Sequence, residues 1–434
     1  MAWRACRIGP RPECLSIERG AWGYTANLMP PDELTDISIG ERVRFYRGGR
    51  RQDAVAGLAE ITVEYLRMIE RGTRVPTIGT LYRLARVLGV RVSELLGEAQ
   101  FQTDAPEHID AMIEMQRALT SFGDLRSDVA PRDIEGLRHR VSGAWTTWHS
   151  SPTRFTEIGR TLPAIIVDAE AMLRRLRAPA EANDRREVQR LLSDAYALAQ
   201  EFCRRVGRSD LNLLAADRAV RMAEEADDEL RMLKGKWNIA HALLGDNQPE
   251  ACVEVATRTA EELQPRLAET PPDYTAMYCL LYLTAIRGAA RRGDLGTARR
   301  WLNEQASPAA QRTGDRFVLW AASGPRNITI HAVGLEMEAG EAAEGLRLAT
   351  AVDVDGALTI ERKTTALIDL ARCYDLRRED AGVLLNLTRA ERISPEDVRY
   401  HKLTHNLVRG LLKRVKPSYA GEVRALATRI GVLA

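Results

Sequence analysis

The sequence predicts an all-α protein, and three observations support this fold class. Long runs of β-branched residues with a period of two are absent. Ala, Leu, Arg and Glu dominate the composition, and apolar residues recur every three to four positions between turns that contain Gly. At 434 residues, of which 45% are apolar, the chain is long enough for several domains or for one extended array of repeats.

The first 36 residues are rich in Pro and show no clear period, so we expect 1–36 to be a disordered N-terminal extension. Met29 opens a segment that looks like a start, which makes 1–28 either a misassigned upstream start or a flexible arm. No apolar stretch reaches the roughly 18 residues of a membrane span, and no membrane partner is expected. The six cysteines form no CxxC pair, which is typical of a reducing cytoplasm.

Five short helices are predicted within residues 37–97. Ser38 and Glu41 form a capping box at the start of the first helix, and Thr62 is the expected N-cap of the third. The fourth helix follows Pro76 and carries an apolar stripe that is expected to face the core. This stripe consists of Ile78, Leu81, Leu84, Ala85 and Leu88.

Four segments of this region follow one another in a specific order, GERVRFYR, RQDAVAGLA, TVEYLRMIERGTRVPTIGTLYRLARVLGV and SELL. Their order and spacing over 37–97 resemble the lambda-repressor-like, XRE-type helix-turn-helix domain. The resemblance implies a five-helix DNA-binding domain whose third helix, Thr62 to Ile69, enters the major groove of double-stranded DNA. One departure is Glu60, which stands in the turn before that helix, where the family often has Gly.

The third helix and its flanks supply the candidate DNA contacts. Arg67 can pair with a guanine, Glu64 can accept from a cytosine amino group, and Val63 can touch a thymine methyl. Gln52 resembles the family's backbone-clamping Gln, and flanking arginines are expected at phosphates. The region carries 11 Arg against 6 Asp and Glu, a net charge of +5 that favours a polyanionic partner. The predicted DNA-binding residues are Gln52, Thr62, Val63, Glu64, Arg67, Arg74, Arg50 and Arg51.

Helical patterns continue to the end of the chain. Residues 98–154 are predicted to be a helical linker, and 155–434 a series of helix pairs. The clearest unit is CLLYLTAIRGAARRGDLGTARRWLNEQA, in which one helix ends at GD and the next begins at once. This unit resembles the tetratricopeptide repeat, which implies an α-solenoid of stacked helix pairs for sensing and dimerisation. The predicted turns of the pairs lie at Gly207, Gly245, Gly293, Gly340 and Arg377-Arg378.

A curved solenoid forms a concave groove lined by the first helix of each pair. Counting from each turn places six polar residues on that inner face, and this mixture of charge, amide and phenol can grip a peptide or a small polar ligand. Each of them could instead simply face solvent. The predicted ligand-binding residues are Asp194, Glu201, Arg204, Arg287, Asn327 and Tyr374.

No phosphate-binding loop, dinucleotide fingerprint, metalloprotease motif or nucleophile elbow is present, so neither a cofactor nor an enzyme is expected. His401 and His405 are four residues apart and could share a metal ion, but a solvated surface pair is the favoured interpretation. Trp145 and Trp148 are expected in the core or an interface rather than in a ligand cage. Core packing rather than redox sensing is expected for Cys203, Cys252, Cys279 and Cys373.

These patterns together predict a cytoplasmic, nucleoid-associated transcription regulator. It would bind a palindromic operator as a homodimer and sense a peptide or a small signalling molecule. Ligand binding would change the curvature of the solenoid and so the distance between two DNA-binding domains. The alternative is a DNA-tethered adaptor whose solenoid binds a partner protein through an exposed apolar patch. An enzyme is the least favoured class, because no nucleophile–base pair or metal-ligand set is visible.

Overall fold

A computed structural model of the protein describes residues 38–88, 90, 92–96, 106–120, 133–414 and 416–433. The predicted extension 1–36 lies outside these described residues. The chain divides into two compact units, Met1–Gln102 and Thr103–Ala434. Both units are helical in their described parts, as the sequence predicts.

The N-terminal unit contains the five predicted helices. Its core includes Val43, Leu66 and Leu84, all fully buried. The predicted capping box at Ser38 is confirmed, since its side chain accepts from the Glu41 amide and the Glu41 carboxylate accepts from the Ser38 amide. The predicted core position of Ile78 is wrong, because its side chain is 72% exposed. The helices are α1 (Ile39–Arg47), α2 (Gln52–Leu58), α3 (Val63–Glu70), α4 (Ile78–Leu88) and α5 (Val92–Leu96).

Glu60 adopts a left-handed conformation, with φ of 54°, in the turn between α2 and α3. The turn therefore keeps the geometry that favours Gly, at a cost of about 1–2 kcal/mol for an L side chain.

We expect Glu60→Gly to stabilise the N-terminal unit by about 1 kcal/mol, and Glu60→Ala to give no such gain. Amide hydrogen exchange of α2 and α3 measures the difference, and equal protection in both variants would contradict the strain.

The second unit is a series of antiparallel helices with one short β-hairpin that the sequence analysis did not predict. In the hairpin, β1 (Arg316–Val318) pairs with β2 (Ala321–Ser323). Among the described residues, none of the helices is both long and apolar enough to span a membrane. The helices are α6 (Pro106–Thr120), α7 (Ile134–Ser150), α8 (Arg154–Arg175), α9 (Ala182–Arg205), α10 (Ser209–Glu225), α11 (Glu229–Gly245), α12 (Pro249–Leu263), α13 (Pro272–Arg291), α14 (Leu295–Trp301), α15 (Ser307–Thr313), α16 (Pro325–Glu338), α17 (Ala342–Ala349), α18 (Ile360–Leu376), α19 (Asp380–Ile393), α20 (Pro395–Tyr400), α21 (Lys402–Arg414) and α22 (Ala420–Arg429).

The helix pairs predicted from the Gly-containing turns are confirmed. A residue with positive φ reverses the chain after α9, α11, α13, α16 and α18. Gly serves at three of these turns, because it adopts positive φ without steric cost. The five residues are Gly207, Asn247, Gly293, Gly340 and Arg378. The second unit is therefore a tetratricopeptide-like α-solenoid.

The segment 98–154 is not a linker in its described part. Met115 of α6 and Trp148 of α7 are fully buried in the same core cluster as Phe155 of α8. The separate assignment was wrong because the apolar faces of α6 and α7 can be buried only against the solenoid helices.

The C-terminal helices return to the first helices of the solenoid. Arg154, at the start of α8, forms a buried ion pair with Asp397 of α20. Glu396 accepts a hydrogen bond of 2.7 Å from the backbone amide of Phe155. Arg205, the last residue of α9, forms an ion pair with Glu361 of α18. These contacts join segments more than 150 residues apart, so the inner helix faces surround an interior space.

Candidate functional site

The third helix of the N-terminal unit presents a polar outer face. Thr62 is its N-cap, as predicted, and its hydroxyl accepts from the Tyr65 amide at 3.1 Å. Leu66 and Ile69 anchor the inner face in the core. The side chains of Glu64 and Arg67 point to solvent. This packing leaves one edge of a short helix free to contact a partner.

A chain of hydrogen bonds fixes the polar side chains between α2 and α3. The Gln52 amide donates to the buried Glu70 carboxylate at 2.7 Å and accepts from Arg67 Nε at 3.2 Å. Arg47 of α1 pairs with the other Glu70 oxygen at 2.6 Å. Arg67 also lies 3.4 Å from Glu64. Exposed pairs of this kind contribute about 0–1 kcal/mol, so Arg67 can exchange them for a base or phosphate at little cost.

The helices of the second unit enclose part of a cavity of about 590 Å³, mouth included, which we call the tryptophan cavity. Its walls come from α7, α9, α11, α13, α16, α18 and the β-hairpin. Four indole rings line it: Trp145, Trp148, Trp237 and Trp320.

The hairpin delivers Trp320 to this cavity through a strained turn. Leu319 and Trp320 connect β1 to β2 with φ of 41° and 69°, a conformation that favours Gly or Asn. The Trp320 ring stacks on Trp145 with centroids 5.9 Å apart and ring planes 4° from parallel. Strain of this type costs about 1–3 kcal/mol per residue and is concentrated at ligand sites in proteins.

Lys234 is the unusual charged group of the cavity. Its side chain is 5% exposed, and none of the described carboxylates forms an ion pair with it. Its Nζ lies 3.6 Å from the centroid of the Trp237 ring. Burial lowers the pKa of the ammonium to about 8, opposed by the charge of Glu201. A buried cation that forms no ion pair destabilises the fold, so binding of an anion beside Lys234 would be favourable.

The remaining charges of the cavity are paired. Arg204 forms an ion pair with Glu201, and Arg362 forms one with Glu361 at 2.6 Å. The histidines add no charge at neutral pH, because burial lowers the pKa of His149 to about 4 and holds that of His241 well below its usual range. The cavity therefore combines one uncompensated positive charge with stacked indole rings. Such a site suits a ligand with an anionic group and an apolar or aromatic part.

The helix-turn-helix family matches residues 44–95. These residues are a helix-turn-helix domain of the XRE type. The chain is also 42% identical, over 70 residues, to the HTH-type transcriptional regulator DdrOP3 of Deinococcus deserti. This stretch is 16% of the chain and 54% of DdrOP3, so the chain spans about half the length of that curated relative.

Two solved structures were also found. The crystal structure of Bacillus thuringiensis PlcR in complex with the peptide PapR7 and DNA aligns at 12% identity and a TM-score of 0.26, covering 63% of this chain and 94% of PlcR. A mutant of PrgX aligns at 10% identity and a TM-score of 0.16, covering 59% of this chain and 96% of PrgX. Both scores are too low to carry a conclusion about this chain.

Within the helix-turn-helix domain, the structure separates the predicted DNA contacts by exposure. Thr62, Glu64, Arg67 and Arg74 are exposed. Val63 is half-buried against the domain's core, and its contact with a thymine methyl stays a prediction. The flanking residues divide further. Gln52 is half-buried, Arg50 donates to the Val87 carbonyl at 2.8 Å, and Arg51 pairs with Asp53 at 2.5 Å.

Three of the six predicted ligand residues, Glu201, Arg204 and Asn327, line the tryptophan cavity. Arg287 lines a neighbouring cavity instead. The other two predicted residues line neither of these cavities. The Asp194 carboxylate is buried in an ion pair of 2.8 Å with Arg231, and the Tyr374 ring packs against Gly382 between α18 and α19.

Sequence reasoning missed the strongest part of the site. Lys234, Trp237 and His241 lie on one face of α11, three and four residues apart, and all three line the cavity. This spacing, on the first helix of a pair, is a signal that could have found them. Trp145 and Trp148 are buried as predicted, but their rings also form part of the cavity wall.

The structure also shows the positions of the cysteines and of the histidine pair. The four cysteines of the second unit are buried, as predicted, and burial raises the thiol pKa, for instance to about 12 in Cys203. The surface position predicted for His401 and His405 is wrong. His401 lines the neighbouring cavity, where burial lowers its pKa to about 3, and His405 is buried with its ring 2.6 Å from the Arg399 carbonyl oxygen.

Proposed function

We propose that this protein is a cytoplasmic DNA-binding transcription regulator whose solenoid senses a peptide or a small signalling molecule in the tryptophan cavity. The exposed edge of α3 within a helix-turn-helix domain carries the DNA-binding half of this proposal. The uncompensated ammonium of Lys234 carries the sensing half. The exposed apolar side chains of Val75, Ile78 and Tyr82 on the helix-turn-helix domain support operator binding as a homodimer.

The tryptophan cavity shares a residue with the contacts that hold the solenoid helices together. Glu361 lines the tryptophan cavity and forms the ion pair with Arg205 that joins α18 to α9. An anion bound at Lys234 would therefore act beside a contact that closes the solenoid. A change in the spacing of these helices is the change that would alter operator binding.

The adaptor alternative receives less support from the described residues. A partner protein would use an apolar surface, whereas the feature found here is a concave cavity that combines indole rings with a buried charge. Stable capture of a partner protein by a chain that retains no small ligand would favour the adaptor.

The DNA-binding half is tested with genomic fragments selected by the full-length chain. We expect the selected fragments to contain inverted half-sites about 34–36 Å apart. On such a fragment, Arg67→Ala should weaken binding by about 1–3 kcal/mol and erase the preference over random duplex. Arg74→Ala should weaken binding to both duplexes alike, since phosphate contacts carry no sequence information.

Fluorescence anisotropy measures the affinity of each variant for each duplex. All titrations use the same salt concentration, because phosphate contacts depend on ionic strength. Arg258→Ala provides the control, since Arg258 is an exposed arginine of the second unit that pairs with Glu254 at 3.7 Å. Equal losses on selected and random duplexes for Arg67→Ala would contradict its assigned role. Failure of the full-length chain to bind any duplex at low salt would overturn the proposal.

A further inference from the structure

A second cavity of about 760 Å³ lies beside the tryptophan cavity, and His331 and Arg362 line both. Its polar wall carries four arginines and two carboxylates, and its apolar wall comes from α13, α16, α18 and α21. The arginines are Arg287, Arg291, Arg362 and Arg372, and the carboxylates are Glu338 and Asp369.

Three of these arginines have protein partners. Arg291 donates to the Leu244 carbonyl at 2.6 Å, Arg362 pairs with Glu361 at 2.6 Å, and Arg372 pairs with Glu338 at 3.1 Å and Asp369 at 3.5 Å. Arg287 differs from them. Among the described residues nothing accepts a hydrogen bond from its guanidinium or forms an ion pair with it.

Arg287 is also desolvated. It lies on α13 between Ile286 and the tightly packed Gly288, and it is only partly exposed. Burial lowers the pKa of its guanidinium to about 10, and the charge of Arg291 acts in the same direction. Its five N–H donors have no hydrogen-bond acceptor among the described residues, a costly arrangement that an oxyanion would relieve.

We propose that this second cavity binds the phosphate group of a small phosphomonoester, with Arg287 as its main anchor. Together with Glu361, the partner of Arg362, the charged groups are four guanidinium groups and three carboxylates. One positive charge is left to attract a phosphate of about −1.5 to −2 charge. His331 and His401 stay neutral and do not alter this balance. Ile330, Leu335, Met337 and Ile368 line the same cavity and would contact the apolar remainder of the ligand.

The shared residues couple the two cavities. The Arg362 guanidinium lies 3.5 Å from Asn327 Oδ1 and 3.4 Å from His331 Nε2, at the wall of the tryptophan cavity. A phosphate that draws Arg362 toward the second cavity would change the surroundings of the indole rings. Binding at either site then affects the other by the same factor.

Phenyl phosphate is the probe, titrated into the full-length chain by calorimetry and by tryptophan fluorescence. Phenylacetate has the same ring with a single carboxylate charge, and phenol has no anionic group. We expect phenyl phosphate to bind roughly tenfold or more tightly than phenylacetate, and phenol not to bind. Equal affinity for all three compounds, or no binding of phenyl phosphate, would overturn the proposal.

Arg287→Met should lower the affinity for phenyl phosphate roughly tenfold or more, and Arg258→Met on the exposed surface should leave it unchanged. In buffer without phosphate, Arg287→Met should melt no lower than the wild type, because it removes an unpaired charge. With saturating phenyl phosphate, the wild type should melt higher. A lower melting temperature for Arg287→Met in both buffers would mean that Arg287 has a structural partner, and the site would be rejected. The test uses neither DNA nor a ligand of the tryptophan cavity, so its failure leaves the proposed function standing.

Discussion

Replacing Arg154 with Ala is expected to lower the free energy of unfolding of the second unit by about 3–5 kcal/mol. The Arg154 side chain is 0% exposed and pairs with the buried Asp397 of α20. It also donates to the Trp148 carbonyl at 3.1 Å, and its guanidinium carbon lies 4.2 Å from the Trp148 ring centroid. The variant would leave the buried Asp397 carboxylate with the more distant Arg205 guanidinium, 3.9 Å away, and would weaken the contact between the last helices of the solenoid and the first.

Urea unfolding followed by tryptophan fluorescence measures this loss, since five of the seven tryptophans lie in the second unit. Arg160→Ala is the matched control, because Arg160 lies on the same helix and is exposed. Its effect should stay within about 0.5 kcal/mol. The double variant Arg154→Met, Asp397→Leu should be less destabilised than Arg154→Ala, because it buries no lone charge. Similar stability of Arg154→Ala and Arg160→Ala would show that the contact does not hold the unit together.

Local rules account for the parts of the fold that the sequence predicted correctly. The capping box at Ser38, the inner face of α3 and the turn at Gly207 each depend on residues within about one helical turn of one another. The departure from Gly at Glu60 did not change the turn before α3, because Glu60 adopts the left-handed conformation itself.

The sequence predictions were wrong where contacts between distant segments determine which residues are buried. The contact of α8 with α20 joins residues about 240 positions apart, and no local pattern encodes it. The same closure buries His401, which periodicity alone left on the surface. Ile78 was predicted to face the core but is exposed, because the apolar stripe of α4 is wider than the core it covers.

The candidate ligand site was predicted in part because the inner helix of each pair faces the interior. This rule placed Glu201, Arg204 and Asn327 at the tryptophan cavity. It failed at Tyr374, near the end of α18, where the close approach of Gly382 turns the ring into the contact with α19. Counting from the turns gives a helix face but not the neighbour that the face meets, so it assigned Asp194 to the groove without showing its ion pair with Arg231.

Lys234→Met is expected to make the protein more stable and unable to respond to its signal. A pKa lowered from 10.5 to about 8 corresponds to about 3 kcal/mol against the charged form, and loss of the contact with Trp237 offsets about 1–2 kcal/mol. The net gain near pH 7 is therefore about 1–2 kcal/mol. In cells, a reporter under the selected operator should no longer change with the signal, while operator affinity of the variant stays that of the wild type.

The pH dependence distinguishes this origin of the gain from better packing by Met. Below pH 8 the Lys234 ammonium is charged in both the folded and the unfolded chain, so the penalty on the wild type is present in full. As the pH rises from about 8 to 10.5, the folded protein releases this proton first and the penalty disappears. The gain from Lys234→Met should therefore fade over that interval, whereas a packing gain would persist. Lys236→Met is the control, since Lys236 lies two residues away, half exposed and 3.5 Å from Glu262. A loss of stability in Lys234→Met near pH 7 would mean that the ammonium already has a partner in the fold. This result would contradict the proposal that the tryptophan cavity binds an anion.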